Sequence, residues 1–250
     1  MIIIKSVEEI KKISAACKIV AEILNEIERF IIPGVTTEDI EKLAEKSIYD
    51  KKALPAFKGY RGYPSCLCIS INNVVVHGIP SKNQVLKEGD IASIDIGVKL
   101  DGFYGDAAKT FPVGKVNETA MRLLNVTKES LYEGIRQAKS GNRVSDISYA
   151  VQRYAEDRGY SVVKAFVGHG IGRDLHEDPQ IPNFGRPNKG ARLKSGMVLA
   201  IEPMINEGGF QVKILEDGWT AVTADNSLSA HFEHTIAVTD NNPKILTIID

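Results

Sequence analysis

Along residues 10–27, apolar side chains recur at Ile10, Ile13, Cys17, Val20, Leu24 and Ile27, three or four positions apart. That period gathers them on one stripe of an α-helix. Ser6, with Glu9 three residues on, forms a capping box that starts the helix, and Pro33-Gly34 stops it. Thr36 and Asp39 cap a second helix that runs to about Asp50. The pattern then changes to strands, with a turn at Asn72-Asn73. Residues 118–139 and 144–158 read again as helices, broken at Ser140-Gly141-Asn142, and strands follow from Tyr160.

The order helix, helix, strands thus occurs twice. Gly34/Gly141, Arg29/Arg136, Asp39/Asp146 and Ile40/Ile147 are all separated by 107 residues. The expectation is one α+β domain, 1–250, made of related halves (about 1–114 and 115–250), with curved antiparallel strands inside and helices outside. No linker-like or low-complexity stretch divides the halves, and their seam is the natural place for a site.

Two strand patterns in the first half carry a misfit. In "SIDIGVKLDGFYGDAAKT", Asp95 and Asp106 interrupt runs that otherwise read as strand, although aspartate is depleted in strands and costly to bury. Asp101-Gly102 between them predicts a two-residue hairpin loop. That register sets Asp95 against Ala108 and Gly97 against Asp106, so the two carboxylates share a face as diagonal neighbours. Ala92, Ile94, Ile96, Val98 and Leu100 form the opposite, apolar face. Carboxylates about 4 Å apart repel by roughly 4 kcal/mol at an effective dielectric near 20. Either the pair lies on a solvated face, or one stays protonated, or a cation neutralises both.

Composition excludes more than it reveals. Net charge is −1 and no block of Lys and Arg stands out, so no nucleic-acid footprint and no specific nucleic-acid sequence is expected. "MIIIKSVEEIKK" is too short for a signal peptide, and no apolar run reaches the length of a membrane span. Cys17, Cys66 and Cys68 without a secretory signal suggest a cytoplasmic protein. Cys66-x-Cys68 lacks a partner pair for structural zinc and reads as two thiols on one strand face.

Three further residues bear on the aspartates. Glu202 in "MVLAIEPMI" and Glu233 in "SAHFEHTIAVT" each break an apolar strand pattern, and His169 in "AFVGHGIG" lies between glycines that permit close backbone approach. Four carboxylates and a neutral imidazole are balanced by two divalent cations. A set rich in oxygen with one nitrogen and no thiolate suits Mn, Fe(II), Co or Zn as a pair.

The order Asp-x10-Asp, Gly-His-Gly-Ile-Gly, Ile-Glu-Pro and Phe-Glu-His-Thr resembles the type I methionine aminopeptidases over essentially the whole chain. The resemblance implies the pita-bread fold with its pseudo-twofold pair of halves. It implies removal of the N-terminal methionine from peptides and nascent chains with a small second residue. It implies that Asp95, Asp106, His169, Glu202 and Glu233 hold two divalent metals, with Asp95 and Glu233 as bridges. By the same resemblance, His77 would contact the scissile amide, His176 would stabilise the oxyanion, and Glu202 would shuttle the proton of the attacking water. Tyr60, Tyr63, Cys68 and Trp219 would line the methionine pocket, together with Phe57 and Leu175, which depart from the cysteine and aromatic common there. An Asn72-Asn73 loop of two residues would independently set Cys68 opposite His77. His231 stands where glutamine is usual and stays outside the metal set. Asn72, Val74 and Ser229 match a peripheral Na or K site. A monomer is expected, and co-translational action would favour ribosome contact.

Two other readings remain. Prolidases and aminopeptidase P share a similar five-ligand site but carry a substantial extra N-terminal domain. A non-catalytic peptide-binding member of the fold would have lost ligands, whereas all five are present here. Type II enzymes carry a long insertion between the last two glutamates, which lie close together in this chain.

Overall fold

A computed structural model describes residues 1–249. Helix α1 (Val7–Glu28) begins where the capping box predicts: Ser6 Oγ accepts from the Glu9 amide and the Glu9 carboxylate accepts from the Ser6 amide. Its apolar stripe, Ile13, Cys17, Val20, Leu24 and Ile27, is buried. Helix α2 (Thr37–Asp50) starts at the reciprocal Thr36–Asp39 cap. The strands β1 (Leu54–Pro55), β2 (Leu67–Ile71), β3 (Val74–Val76), β4 (Ile91–Leu100) and β5 (Phe103–Pro112) follow. Helices α3 (Glu118–Gln137) and α4 (Val144–Glu156) then end within two residues of the predicted limits. They lead to β6 (Ser161–Val162), β7 (Val167–Gly170), β8 (Glu177–Pro182), β9 (Val198–Ile201), β10 (Met204–Asn206), β11 (Val212–Ile214), β12 (Ala221–Thr223), β13 (Ser229–His231), β14 (His234–Ala237) and β15 (Lys244–Ile245).

In the first half β4 is central, paired antiparallel with β5 along one edge and with β2 and β1 along the other. The hairpin register is the predicted one, Asp95 opposite Ala108 and Gly97 opposite Asp106, about a loop in which Asp101 (φ 48°) and Gly102 (φ 81°) are both left-handed. The second half carries an antiparallel sheet in the order β15-β14-β9-β7-β8. Two three-stranded sheets, β13-β10-β6 and β11-β12-β3, complete the strands. Each sheet buries apolar residues beneath its own helix pair. Ile23, Ile40, Ile69, Ile94 and Ile96 belong to one core, and Leu123, Ile147, Leu199 and Ile236 to the other.

The two halves repeat in geometry as well as in sequence. Isolated bridges pair Thr36 with Val85 and Arg143 with Arg192, again 107 residues apart at both ends. Gly34 donates to the Leu86 carbonyl (2.8 Å) and Gly141 to that of Leu193 (3.0 Å). The inner strands of the halves meet at β5 and β14. There the Glu233 amide donates to Ala108 O (2.8 Å) and the Thr235 hydroxyl to Asp106 O (2.7 Å).

Three local expectations change. Glu202 lies in the break between β9 and β10, and Glu233 in the break between β13 and β14, rather than within strands. Residues outside the ladders can turn their side chains inward without losing strand hydrogen bonds. Strands β2 and β3 do not pair as a tight hairpin. The carbonyls of Asn72 and Asn73 accept from Ser229 and Thr223, and β3 pairs with β12 instead. The Ile69 amide reaches Gly78 O (2.8 Å), so Cys68 does not face His77 across a ladder. Finally, Cys66 precedes β2 and meets Glu41 of α2, so its thiol does not pair with that of Cys68.

Candidate metal centre and substrate cavity

The thirteen residues assigned from the sequence to the metal, catalytic and pocket sets all line one cavity of about 200 Å³. β4 and β5 bring Asp95 and Asp106 to one wall, through the shared face of their hairpin. β7 brings His169, which is set opposite Ala200 of β9, and Glu202 follows β9. Glu233 arrives from the second half on the seam. The close approach of these strands depends on the glycines beside His169. A Cβ on Gly170 would lie 2.2 Å from Asp178 O, and one on Gly168 would lie 2.4 Å from Ala200 O.

Oxygen atoms of Asp106 and Glu233 and a ring nitrogen of His169 all lie within 4.8 Å of one another. His169 Nε2 is 3.6 Å from Glu202 Oε1 and 4.0 Å from Asp106 Oδ2. Asp95 lines the same cavity. Asp106, His169 and Glu233 are buried, and Asp95 Oδ1, Asp106 Oδ1 and Glu233 Oε1 have no hydrogen-bond partner. Burial pushes Asp95 up to about 7. Burial, and then the neighbouring carboxylates, hold Asp106, Glu202 and Glu233 well above the carboxylate range. Left to itself this is an expensive arrangement, because buried oxygens normally find donors.

His169 shows what would relieve it. A carbonyl can only accept, so the 2.9 Å contact between Nδ1 and Gly170 O places the proton on Nδ1. The Nε2 lone pair therefore faces carboxylates instead of a donor. Burial, and then the neighbouring His176, push His169 down to about 3, so protonation does not supply the missing charge. A nitrogen lone pair and orphaned carboxylate oxygens around one point fit a divalent cation, with the Gly170 carbonyl orienting the imidazole.

The other walls carry the remaining residues. His176 stands at the rim, its Nδ1 hydrogen-bonded to the Tyr60 hydroxyl (2.8 Å) and its ring centroid 4.3 Å from that of His169. Burial, then the Arg61 charge, push His176 down to about 4. His77 is held edge-on by Phe166 and Trp219, and burial lowers its pKa. Tyr63 meets Trp219 edge-on and donates its hydroxyl to Leu67 O or Gly78 O, both 3.0 Å away. Burial and the Asp95 charge raise the Cys68 thiol well above its usual range, so it presents S–H, not thiolate.

Two side chains near the cavity were not assigned from the sequence. Arg61 lines it from a left-handed backbone position (φ 49°) and stacks on Tyr60. Its place in "GYRGYP", between two assigned tyrosines, was the available signal. Phe166, which wedges His77, gave none. His231 is 1% exposed with both ring nitrogens unpartnered, Nε2 lying 3.8 Å from Glu202 Oε2. It lies behind Glu202 and does not line the cavity.

Known proteins resemble this chain along essentially its whole length. Residues 11–240 match metallopeptidase family M24. A methionine aminopeptidase of Clostridium acetobutylicum is 53% identical over 250 residues, all of both chains. Methionine aminopeptidase 1 of Bacillus subtilis is 53% identical over 99% of both. The crystal structure of a methionine aminopeptidase from Thermotoga maritima superimposes with a TM-score of 0.98 at 49% identity over all of both chains. A prolidase from Pyrococcus horikoshii shares the pita-bread fold at 24% identity and TM-score 0.81, and this chain covers 64% of its length. By the family match and by identity over its full length, the chain belongs to metallopeptidase family M24.

Proposed function

We propose that this chain is a type I methionine aminopeptidase, hydrolysing the N-terminal methionine from peptides and nascent chains whose second residue is small. The observation that carries this reading is one cavity holding both a cation-deficient ligand set and a soft, aromatic wall. Asp95, Asp106, His169, Glu202 and Glu233 would hold two divalent ions (Mn, Fe(II), Co or Zn). When bound, such a pair supplies water activation and polarisation of the scissile carbonyl.

The chain's own residues do the rest. Glu202 would take a proton from the attacking water and return it to the leaving amine. His176 stays neutral at pH 7, and in the tautomer whose Nδ1 accepts from the Tyr60 hydroxyl its Nε2–H is left to donate to the developing oxyanion. His77, clamped between aromatic edges, contacts the scissile amide. Tyr63, Cys68, Trp219, Phe57 and Leu175 exclude water around the methionine side chain. Their polarisable surface suits a thioether.

The Ser229 amide donates to Asn72 O (2.9 Å), and with Val74 these residues would hold a peripheral Na or K ion. Among the described residues no helix is long and apolar enough to cross a membrane. A cytoplasmic enzyme acting on nascent chains near the ribosome is part of the same proposal. A metal-loaded assay on Met-Ala-Ser and on an X-Pro peptide tests the reading. Methionine release from the first alone is expected. Cleavage confined to X-Pro bonds would transfer the chain to the prolidases, and hydrolysis of neither would leave a binding protein. His176→Ala is expected to lower kcat about 10²–10³-fold. An effect confined to KM would remove the oxyanion role.

A further inference from the structure

Lys5 ends the apolar run "MIIIK", yet its side chain is buried more deeply than those of most residues in that run. Lysine is almost never fully buried unless paired. Here the partner is Glu177, 172 residues away; the two side chains are 2% and 5% exposed, and the ammonium donates to Glu177 Oε2. The Lys5 amide donates to Gly196 O (2.8 Å), which fixes the backbone of the strap beneath the pair.

Glu177 faces two ways. Its other oxygen, Oε1, accepts from the amides of Arg173 (2.8 Å) and Asp174 (3.4 Å), and so ties together the loop between β7 and β8. That loop carries His176, the residue immediately before Glu177. Adjacent residues at a strand entrance point to opposite sides. His176 accordingly lines the substrate cavity while Glu177 turns inward to Lys5. The fit is tight enough that a Cβ on Gly172 would lie 2.4 Å from Lys5 Cε and 2.6 Å from Glu177 Oε1.

We propose that Lys5 and Glu177 are a buried positioning pair which sets the His176 imidazole for turnover, making the N-terminal strap part of the working machinery although it touches no substrate. This rests on the peptidase reading given above. Displacing a catalytic group by about 1 Å can cost on the order of 10²-fold in rate. Acting through His176, the pair affects the chemical step rather than substrate capture.

The test is a double-mutant cycle on metal-loaded protein, scored by methionine release from Met-Ala-Ser. Lys5→Met is expected to lower kcat about 10–100-fold with KM changed less than about threefold. In the His176→Ala background the same substitution is expected to cost less than about twofold, since the residue it acts through is gone. Lys5→Arg should restore much of the loss. Equal losses in both backgrounds, or no loss in the wild-type background, would overturn the proposal. Nitrogen-15 NMR of the histidine rings gives a reading independent of turnover: Lys5→Met should shift the His176 resonances, and unmoved resonances would contradict the role. Should Lys5→Met fail to fold, Glu177→Gln, which keeps an oxygen for the Arg173 and Asp174 amides, carries the same cycle. If wild-type protein releases no methionine, the peptidase reading has failed, and the ring resonances alone decide the positioning role.

Discussion

At the scale of single residues, the site is legible wherever a side chain contradicts its local pattern. Asp95 and Asp106 interrupt a hairpin whose turn fixes their parity, and the register places them on one wall. Their cost is the basis of two predictions. Asp106→Ala should abolish methionine release and lower bound metal, while the metal-free variant melts within about 1 kcal/mol of wild type or above it, because repulsion is relieved. Calorimetry beside metal analysis checks both halves, and undiminished activity would refute the assignment. Metal affinity should also depend on pH. Burial pushes Asp95 up to about 7, so below that value a bound proton must leave before a cation enters. Affinity for Mn(II) should therefore rise with pH through the neutral range, by up to about tenfold per pH unit for each proton displaced, with protons released on binding. Isothermal titration in two buffers reads this directly, and an affinity that is flat with pH would exclude it. His231 was visible only as a departure from a familiar motif; its burial behind Glu202 comes from strand pairing that no local pattern reveals.

At the scale of elements, caps and periodicity located the four helices closely, since capping boxes and apolar stripes are short-range signals. Strand partners are long-range and leave little local trace. The Asn72-Asn73 turn suggested a tight hairpin, but the backbone groups of that turn bond to residues near 223 and 229, far along the chain. Cys68 and His77 reach the same cavity from separate sheets instead. Close approach of elements is equally silent in a pattern of polar and apolar letters. Gly105 of β5 lies against α1, where an added Cβ would fall 2.6 Å from the Cys17 amide nitrogen and 2.8 Å from the Ala16 carbonyl carbon. Backbone atoms cannot step aside as a side chain can. Gly105→Ala is thus expected to destabilise the protein by about 1–3 kcal/mol and, by moving β5 beside Asp106, to weaken metal binding. A denaturant melt paired with a metal titration checks this, and unchanged values in both would show that α1 can shift freely.

At the scale of the whole molecule, the repeat of 107 residues was faint in identities but plain in the order of elements, and the paired bridges at Thr36–Val85 and Arg143–Arg192 give it geometric form. What the sequence could not convey is how the halves join. Asp106 and Ala108 accept from Thr235 and Glu233 across the seam, so the candidate ligands of each half are braced by the other. Binding at the seam should therefore stabilise the chain as a unit. Saturation at about 100 times Kd corresponds to roughly 2.7 kcal/mol, seen as a higher Tm for one shared transition.

The central claim is that five dispersed side chains are assembled by the fold to hold metal for methionine removal. Its most direct test is an anaerobic titration of metal-stripped protein with Mn(II) or Fe(II), following bound metal and methionine release from Met-Ala-Ser in the same samples. Release should be absent without metal, rise in step with occupancy, and vanish with binding in Asp106→Ala. Methionine release that persists in excess chelator, or metal bound as tightly without Asp106, would contradict the account.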